Sequence, residues 1–250
     1  MLRFEDVSFK YKSDKFDMVK SLSFDVAEGE FISVIGASGC GKSTVFRLIN
    51  GLEKPDTGKI TMSGKDIGSI KNYSSYMPQK DLLYPWRTIE KNICLPMEIQ
   101  KKGREEMKRR SAEMLKEVGL WDYRDKYPRD LSGGMRQRAS FARTLLAGSD
   151  LLLLDEPFSA LDSLTRMGLQ EWLLAEWQKH KKTILFVTHD VEEAVFLSEK
   201  VLVITDRPIT HFEQYRVPLA YPRARADLKR QEILNLKEEL IGKLRQEAEQ

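Results

Sequence analysis

The stretch Gly36-Ala37-Ser38-Gly39-Cys40-Gly41-Lys42-Ser43-Thr44 decides the fold of this 250-residue chain. Its first eight residues fit the pattern G-x-x-x-x-G-K-[ST] without a mismatch. Glycines let the backbone curl so that several N–H groups point at one anion, and a following helix adds partial positive charge. Lys42 can reach the β- and γ-phosphates of a nucleotide, while the Ser43 hydroxyl can ligate Mg²⁺. The sequence therefore predicts a phosphate-binding loop.

The segments around this loop alternate between apolar strands and helices. A strand is predicted for Glu30 to Ile35 and a helix for Ser43 to Gly51, on either side of the loop. A second alternation begins at Asp150, where Leu151 to Leu154 are continuously apolar. The later predictions are helix Thr165–Lys179, strand Thr183–Thr188, helix Val191–Ser198 and strand Val201–Thr205. This alternation is typical of an α/β fold with a parallel sheet covered on both faces.

Strands are also predicted for Leu2–Phe9, Ser21–Val26 and Lys59–Ser63, near the start of the chain. The middle is different, because residues from about 82 to 145 are predicted to form a mainly helical insertion between two halves of one α/β core. Its pattern is helical from Ile89 to Gly119, and Leu95-Pro96 is predicted to interrupt it. The charged segment Lys101 to Arg110 is typical of a solvated helix face.

The last segment, residues 226–250, is predicted to be a separate helical tail. A charged helix is expected from Asp227 to Gln250, with one apolar stripe of Ile233, Leu236, Leu240 and Leu244. This stripe is consistent with packing on the parent domain or with fraying in solvent. It is also consistent with a surface that contacts a partner or a membrane.

Composition excludes several classes of protein. The formal net charge of +3 is too small to indicate a nucleic-acid partner on electrostatics alone. Two cysteines, Cys40 and Cys94, give no disulfide framework. The longest apolar runs fall far short of the roughly 20 residues that span a bilayer, and the acidic N-terminus does not fit a signal peptide. We expect a cytosolic protein, held at any membrane by a partner.

Two carboxylates follow the apolar strand Leu151–Leu154. A phosphate-loop enzyme needs an acid on a neighbouring strand to hold the Mg²⁺ shell, which suits Asp155. Glu156 comes one residue later and is expected to act as the general base that orients or deprotonates the attacking water. Alone, two acids at a strand end are more often a solvated turn, so this interpretation depends on the phosphate loop.

The segment Leu131-Ser132-Gly133-Gly134-Met135-Arg136-Gln137-Arg138 resembles the signature motif of the ATPase subunits of ABC transporters. Ser132 and the N–H groups of Gly133 and Gly134 are expected at the start of a helix running through Arg143, a second anion-binding device. In that family, the signature of one subunit closes over the ATP held by the other. The resemblance therefore implies a head-to-tail dimer of two such subunits, with residues 1–225 as the ATPase domain.

The resemblance also implies a P-loop NTPase (RecA-like) core, an antiparallel β subdomain and an inserted α-helical subdomain. Gln79 matches the family's Q-loop glutamine, which senses Mg²⁺ and the γ-phosphate. Asp162, in Ser159-Ala160-Leu161-Asp162, matches the D-loop that communicates across the dimer. His189 matches the switch histidine that contacts the γ-phosphate. Tyr11 matches the aromatic residue that stacks on adenine, although Phe9 is close enough to be an alternative.

Finer features resemble one subgroup of bacterial importers. The segment Asp81 to Thr88, with Asn92, Arg136 and Tyr221-Pro222-Arg223, is similar to ATPases that serve uptake of nitrate, taurine, aliphatic sulfonates or thiamine-pyrimidine precursors. The implied partners are a second ATPase subunit, an integral membrane permease and, indirectly, an external solute-binding protein, with no nucleic acid. The implied place is the cytoplasmic face of the membrane. Alternatives are an ABC ATPase that acts on ribosomes or DNA, and the ATPase of an exporter.

Overall fold

The computed structural model describes the backbone of residues 2–248 and the side chains of residues 2–246. The strands are β1 (Leu2–Phe9), β2 (Val19–Val26), β3 (Phe31–Ile35), β4 (Thr57–Met62), β5 (Lys65–Asp66), β6 (Ser74–Met77), β7 (Leu151–Asp155), β8 (Thr183–Val187), β9 (Lys200–Val203) and β10 (Glu213–Arg216). The helices are α1 (Lys42–Ile49), α2 (Ile89–Ile99), α3 (Arg104–Glu117), α4 (Gly133–Leu146), α5 (Ser163–His180), α6 (Val191–Leu197) and α7 (Gln231–Ala248). Short 3-10 turns cover Ile67–Ser69, Trp121–Tyr123, Pro128–Asp130 and Arg225–Lys229.

The chain divides into two compact units. The first, here called the nucleotide-loop unit, contains residues 1–73 and 180–250, and the second, the carboxylate unit, contains residues 74–179. The chain therefore leaves the first unit after residue 73 and returns to it after residue 179.

The nucleotide-loop unit contains the predicted antiparallel subdomain. Its four-stranded sheet has the order β2-β1-β4-β5, and each pairing in it is antiparallel. A parallel group places β3 between β8 and β9, and β10 runs antiparallel to β9 at the edge. Every residue of β3 and β8 is buried, as the continuous apolar runs predict for strands covered on both faces. The phosphate loop thus follows a central, fully buried strand.

The tail packs on its own unit. Helix α7 lies against α6 and buries Ile233, Leu236 and Leu240, which are three of the four predicted stripe residues, while Leu244 is half-buried. A 3-10 turn precedes α7, so the helix begins at Gln231 and not at Asp227. The predicted end of the helix, Gln250, lies outside the described residues.

The carboxylate unit pairs β6 with β7 in parallel and packs helices on this pair. Its core includes edge-to-face rings of Phe141 with Phe158 and Trp172, at centroid distances of 5.4 and 6.1 Å. Pro96 does not interrupt the helix as predicted, because α2 continues past it to Ile99. Ile89, Ile93 and Met97 are fully buried along one face of α2, and burying these side chains offsets a proline cost of about 3 kcal/mol.

Three strands were not predicted from the sequence: the two-residue strand β5, which pairs with β4, and the strands β6 and β10. β6 has the sequence SSYM and β10 has the sequence EQYR, and neither contains an apolar run. β6 is defined by its pairing with the apolar strand β7, which is remote in sequence. β10 is defined by its pairing with the apolar strand β9. Their strand state comes from the backbone ladder and not from local propensity.

Candidate nucleotide site

The phosphate loop connects the end of β3 to the start of α1. Gly39 and Gly41 have φ values of +81° and +110°, in the region where only glycine is unstrained. A Cβ atom on Gly41 would also come within 2.9 Å of the Ile209 side chain and 3.0 Å of the Met18 side chain, so these side chains would have to shift to admit it. Gly41 also forms the N-cap of α1 without a side-chain cap, and the first N–H groups of α1 make no bond within their helix. This arrangement suits an anion.

Lys42 is the cation of the loop. Its side chain is buried, and Nζ donates to the carbonyl oxygens of Gly36 and Ala37 at 2.7 Å each. The same amine lies 3.8 Å from the Sγ atom of Cys40, whose side chain is buried within the loop. The lysine therefore lies over the curled backbone that carries the glycines, where it can add positive charge to the N–H groups.

Three neighbouring side chains differ in their exposure. Ser43 is exposed at the start of α1, as a metal-ligating hydroxyl would need to be, while Thr44 is buried. Tyr11 lies against this first turn, with its hydroxyl 3.2 Å from Thr44 Oγ1. Phe9 packs edge-on against the Tyr11 ring and is itself buried, so Tyr11 is the better placed of the two aromatic residues to contact a ligand. Ser38 is exposed on the loop.

His189 lies at the junction between β8 and α6, in the same unit. Its side chain is exposed, and the backbone around it is fixed by its neighbours. Asp190 caps α6 by accepting from the N–H groups of Glu192 and Glu193 at 2.8 and 3.1 Å. Thr188 accepts from the Asp190 N–H at 3.0 Å and donates to the buried Glu193 carboxylate. The histidine is thus held on a short, capped turn.

The predicted acidic pair ends β7 in the carboxylate unit. Asp155 is buried, and the hydroxyl of Tyr76 on the paired strand donates to its Oδ2 at 3.4 Å. Glu156 has a φ of +50°, a left-handed conformation that is strained for a residue with a side chain. Its Oε2 accepts from Gln79 Nε2 at 3.1 Å. The structure therefore brings together three predicted residues of this unit: Gln79, Asp155 and Glu156.

The signature segment forms the start of α4, as predicted. Ser132 is the N-cap, and its hydroxyl accepts from the Met135 N–H at 3.3 Å. Ser132 and Gly133 are exposed, which leaves this helix start accessible. Asp162 caps α5 in the same way, accepting from the Thr165 N–H at 3.0 Å. That hydrogen bond lowers the pKa of the Asp162 carboxyl, because it stabilises the charged form.

The donor sets suit a nucleotide and a hard divalent ion. Backbone N–H groups and a buried ammonium such as that of Lys42 suit a phosphate, whereas a buried carboxylate such as that of Asp155 suits Mg²⁺. Within residues 2–248 no three His, Cys, Asp or Glu side chains are grouped so as to hold a metal alone. An ion on Asp155 would take its other ligands from hydroxyl, amide, water or phosphate oxygens, as Mg²⁺ commonly does.

One buried residue of this region was missed by sequence reasoning. Gln137, in the second turn of α4, was not assigned a role, although its side chain contacts the loop that carries Glu156. The sequence signal was its place within the segment Leu131–Arg138, which resembles the signature motif. The part of the chain described by the structure contains no helix long and apolar enough to cross a membrane.

Residues 19–159, more than half of the chain, match the family model described as ABC transporter. The chain is 47% identical over 218 residues to the formylaminopyrimidine import ATP-binding protein ThiZ of Halalkalibacterium halodurans, covering 87% of this chain and 85% of the relative. It is 37% identical over 225 residues to the aliphatic sulfonates import ATP-binding protein SsuB of Bacillus cereus, covering 90% and 88%.

A solved structure is similar over most of the fold. The ATP-binding cassette MJ0796, described as a dimeric post-hydrolysis state bound to ADP and Pi, aligns with a TM-score of 0.79. It is 27% identical, and the alignment covers 88% of this chain and all of that chain. The chain belongs to the ABC transporter family, has the mixed α/β fold of ABC cassettes and is an ATPase. The predicted family, fold class and enzyme activity are confirmed.

Proposed function

We propose that this chain is the ATP-hydrolysing subunit of a bacterial ABC importer that drives uptake of a small solute through a separate permease. Two relatives of the chain, ThiZ and SsuB, are import ATP-binding proteins, and this supports an importer over an exporter. The solute class remains the one that the sequence resemblance indicates: nitrate, taurine, aliphatic sulfonates or thiamine-pyrimidine precursors. The chain would lie at the cytoplasmic face of the membrane, attached through the permease.

In this proposal the phosphate loop, residues 36–44, binds the phosphates of ATP and Tyr11 stacks on the adenine. Lys42 stabilises charge that develops on the γ-phosphate, because its ammonium is already fixed over the loop. Ser43, Gln79 and Asp155 would hold Mg²⁺, which supplies charge neutralisation on the phosphate oxygens when it is bound.

Glu156 acts as the general base in this scheme, and His189 contacts the γ-phosphate. Glu156 would accept the proton of the attacking water through its carboxylate, while Gln79 limits the orientation of that carboxylate through one hydrogen bond. The exposed helix start at Ser132, Gly133 and Gly134, together with Asp162, would contact the nucleotide or loop of a second copy of the chain. The dimeric state named for the related cassette supports this assembly.

The observation that carries the permease proposal is an exposed apolar patch in the carboxylate unit, formed by Leu82, Tyr84 and Trp86. These side chains are 60%, 41% and 71% exposed, and the rings of Tyr84 and Trp86 lie 5.3 Å apart. Exposed aromatic clusters of this kind are typical anchors for a partner helix. The patch follows Gln79 by only a few residues, which links it to a proposed ligand of the metal.

The patch is also hydrogen-bonded to α4, the helix that begins with the signature segment. Arg143 of α4 donates to the carbonyl oxygens of Leu82 and Asp81 at 2.8 and 2.9 Å. Arg136, two turns earlier on the same helix, binds the Asp81 carboxylate at 3.0 Å. A displacement of α4 on nucleotide binding would therefore move the patch with it, as coupling to a permease requires.

The test is co-purification from native membranes in mild detergent, followed by mass spectrometry. We expect an integral membrane protein in roughly equal amount with the wild-type chain. The variant Tyr84→Ala with Trp86→Ala should lose most of it, because alanine at aromatic anchors costs at least about 2 kcal/mol, or roughly 30-fold. Tyr123→Ala is the matched control, since Tyr123 is also 41% exposed in the same unit.

The outcomes separate the candidate functions. Equal recovery of the permease with the double variant and with the control would exclude this patch as the docking surface. Recovery of the wild-type chain only with ribosomal proteins or nucleic acid would overturn the transporter proposal and leave the ATPase activity intact. If the permease co-purifies with the wild-type chain, uptake assays with a pyrimidine precursor and an aliphatic sulfonate would identify the cargo.

A further inference from the structure

The side-chain amide of Gln137 links α4 to the loop that follows β7. Its Nε2 donates to the Glu156 carbonyl oxygen at 2.9 Å and to Ser159 Oγ at 3.1 Å. Its Oε1 accepts from the Ala160 N–H at 2.7 Å. All of these residues belong to the carboxylate unit. One side chain therefore contacts three positions in a loop of five residues, here called the 156–160 loop.

The orientation of this amide is fixed by its partners. A carbonyl oxygen can only accept and a backbone N–H can only donate, so the reversed amide would face two like groups. Gln137 is also buried, with 4% of its surface exposed, and water therefore cannot substitute for these bonds without rearrangement. A buried amide that satisfies three partners is a rigid connection.

The loop that it contacts holds a strained residue. Glu156 adopts φ +50°, which costs about 1–3 kcal/mol for a residue other than glycine. Its carbonyl oxygen accepts from Gln137, and also from the Ser159 hydroxyl at 3.1 Å and the Ser159 N–H at 3.3 Å. The backbone conformation that directs the Glu156 side chain is therefore maintained by bonds to that one carbonyl, of which Gln137 gives the shortest.

A close approach of α4 supports the same contact. A Cβ atom on Gly134 would come within 3.0 Å of the Ala160 carbonyl oxygen and 3.3 Å of the Leu161 side chain. Glycine at this position therefore lets the first turn of α4 reach the loop, and Gln137, one turn later, makes the hydrogen bonds. Two separate features of the signature helix thus act on the same loop.

We infer that Gln137 is a positioning residue for Glu156, and that it couples the signature helix to the geometry of hydrolysis. The inference rests on the proposed role of Glu156 as general base. Gln137 holds the Glu156 main chain through its Nε2, while Gln79 holds the Glu156 carboxylate. A shift of α4 would therefore move the base relative to the water that it activates, without direct contact between Gln137 and a ligand.

The sharpest test is Gln137→Glu, which keeps the shape but removes the donor that contacts the Glu156 carbonyl. A carboxylate would instead repel this oxygen, and the strained backbone would relax. We expect kcat to fall about 100-fold, the effect of misplacing a catalytic group by about 1 Å, while the KM for ATP changes less than about 2-fold. Gln137→Leu, which removes all three bonds, should give the same division between kcat and KM.

The matched control is Gln100→Leu. Gln100 donates its amide N–H to the Ala147 carbonyl at 2.6 Å, at the opposite end of α4 in the same unit. Its loss removes one side-chain bond to this helix but leaves the 156–160 loop untouched. We expect a lower Tm with kcat within about 2-fold of the wild type, since the chemistry does not involve this end of the helix.

A double-mutant cycle distinguishes positioning from stability. Single-turnover rates with labelled ATP are measured for Glu156→Gln, Gln137→Glu and the pair. If Gln137 acts through Glu156, the pair is no slower than Glu156→Gln alone, because effects of residues that act as a unit are not additive. The inference would be overturned if Gln137→Glu slowed the Glu156→Gln variant by the same factor as it slows the wild type. A kcat for Gln137→Glu equal to that of the Gln100 control would also overturn it. Wild-type rates for Glu156→Gln would instead refute the proposed base.

Discussion

The phosphate loop and the 156–160 loop are both predicted to act on ATP, but they are built in opposite ways. Lys42 is held by the carbonyls of Gly36 and Ala37, five or six residues away in its own loop. Glu156 is held by Gln79 and Gln137, which are 77 and 19 residues away. A short contiguous segment thus makes the first site, whereas the second requires that three separate segments come together.

This difference predicts which substitutions will disturb each loop. A contiguous loop fails when one of its own residues changes, and distant substitutions leave it intact. A loop that is held by residues remote in sequence loses its conformation when any one of those residues is substituted. The 156–160 loop also carries backbone strain at Glu156, which persists only while the surrounding bonds hold it. Substitutions can test both halves of this comparison.

The largest expected effect is that of Glu156→Gln. We expect kcat to fall by about 10²–10⁴, the usual contribution of a general base, with nucleotide affinity unchanged. Phosphate release measured beside equilibrium binding of labelled ATP checks both quantities. A variant that hydrolyses ATP at the wild-type rate would remove Glu156 from the mechanism and, with it, the functional meaning of the 156–160 loop.

Lys42→Met comes next. We expect kcat to fall about 10²–10³-fold, the effect of losing one charged donor to the developing negative charge. Unlike Glu156→Gln, it should also weaken ATP binding, because the ammonium contributes to the ground state as well. Equilibrium binding therefore separates the two variants. Unchanged affinity in Lys42→Met would place this lysine outside the phosphate site.

Arg223→Met tests support from a remote residue in the nucleotide-loop unit. The buried guanidinium donates to the carbonyl oxygens of Val195, Phe196 and Ser198 at the end of α6, and to that of Leu219. Its removal leaves several buried carbonyl oxygens without a donor, at about 1–3 kcal/mol each. We expect the free energy of unfolding in urea to fall by about 3 kcal/mol.

Asp190→Ala is the local counterpart, since Asp190 caps the other end of the same helix from within two or three residues. The loss of an N-cap costs about 1 kcal/mol. If Asp190→Ala destabilised α6 more than Arg223→Met, the ranking of remote above local support would be wrong for this unit.

The smallest expected effect concerns pH and the tail helix. Lys243 of α7 and Tyr215 of β10 both bind the Glu213 carboxylate, at 2.9 and 2.8 Å, and these hydrogen bonds lower the pKa of Glu213. A lowered pKa in the folded state gives stability that is present above the ordinary value, about 4.3, and is lost as pH falls below it. Lys243→Met should therefore reduce the dependence of the free energy of unfolding in urea on pH between about pH 5 and pH 3. An unchanged pH dependence would contradict the contribution of Lys243 to the Glu213 pKa.

Much of the molecule followed from local pattern. The apolar runs correctly predicted β3, β7 and β8, because strands buried on both faces leave a continuous hydrophobic signal. The polar strands β6 and β10 were missed, since their state depends on a partner strand. Pro96 was expected to interrupt a helix that continues through it, because burial of the apolar face of α2 outweighs local propensity.

The sequence alone determined the phosphate loop, the family and the chemistry of each proposed ligand. The reason is physical. A backbone that curls around phosphate requires glycines and a lysine at fixed spacing in one segment, so the motif can be recognised directly in the sequence. Only the tertiary structure decided that Glu156 is strained, that Gln137 holds it and that Arg143 fastens the exposed patch to α4. These contacts join residues with no fixed separation along the chain, so no local pattern encodes them.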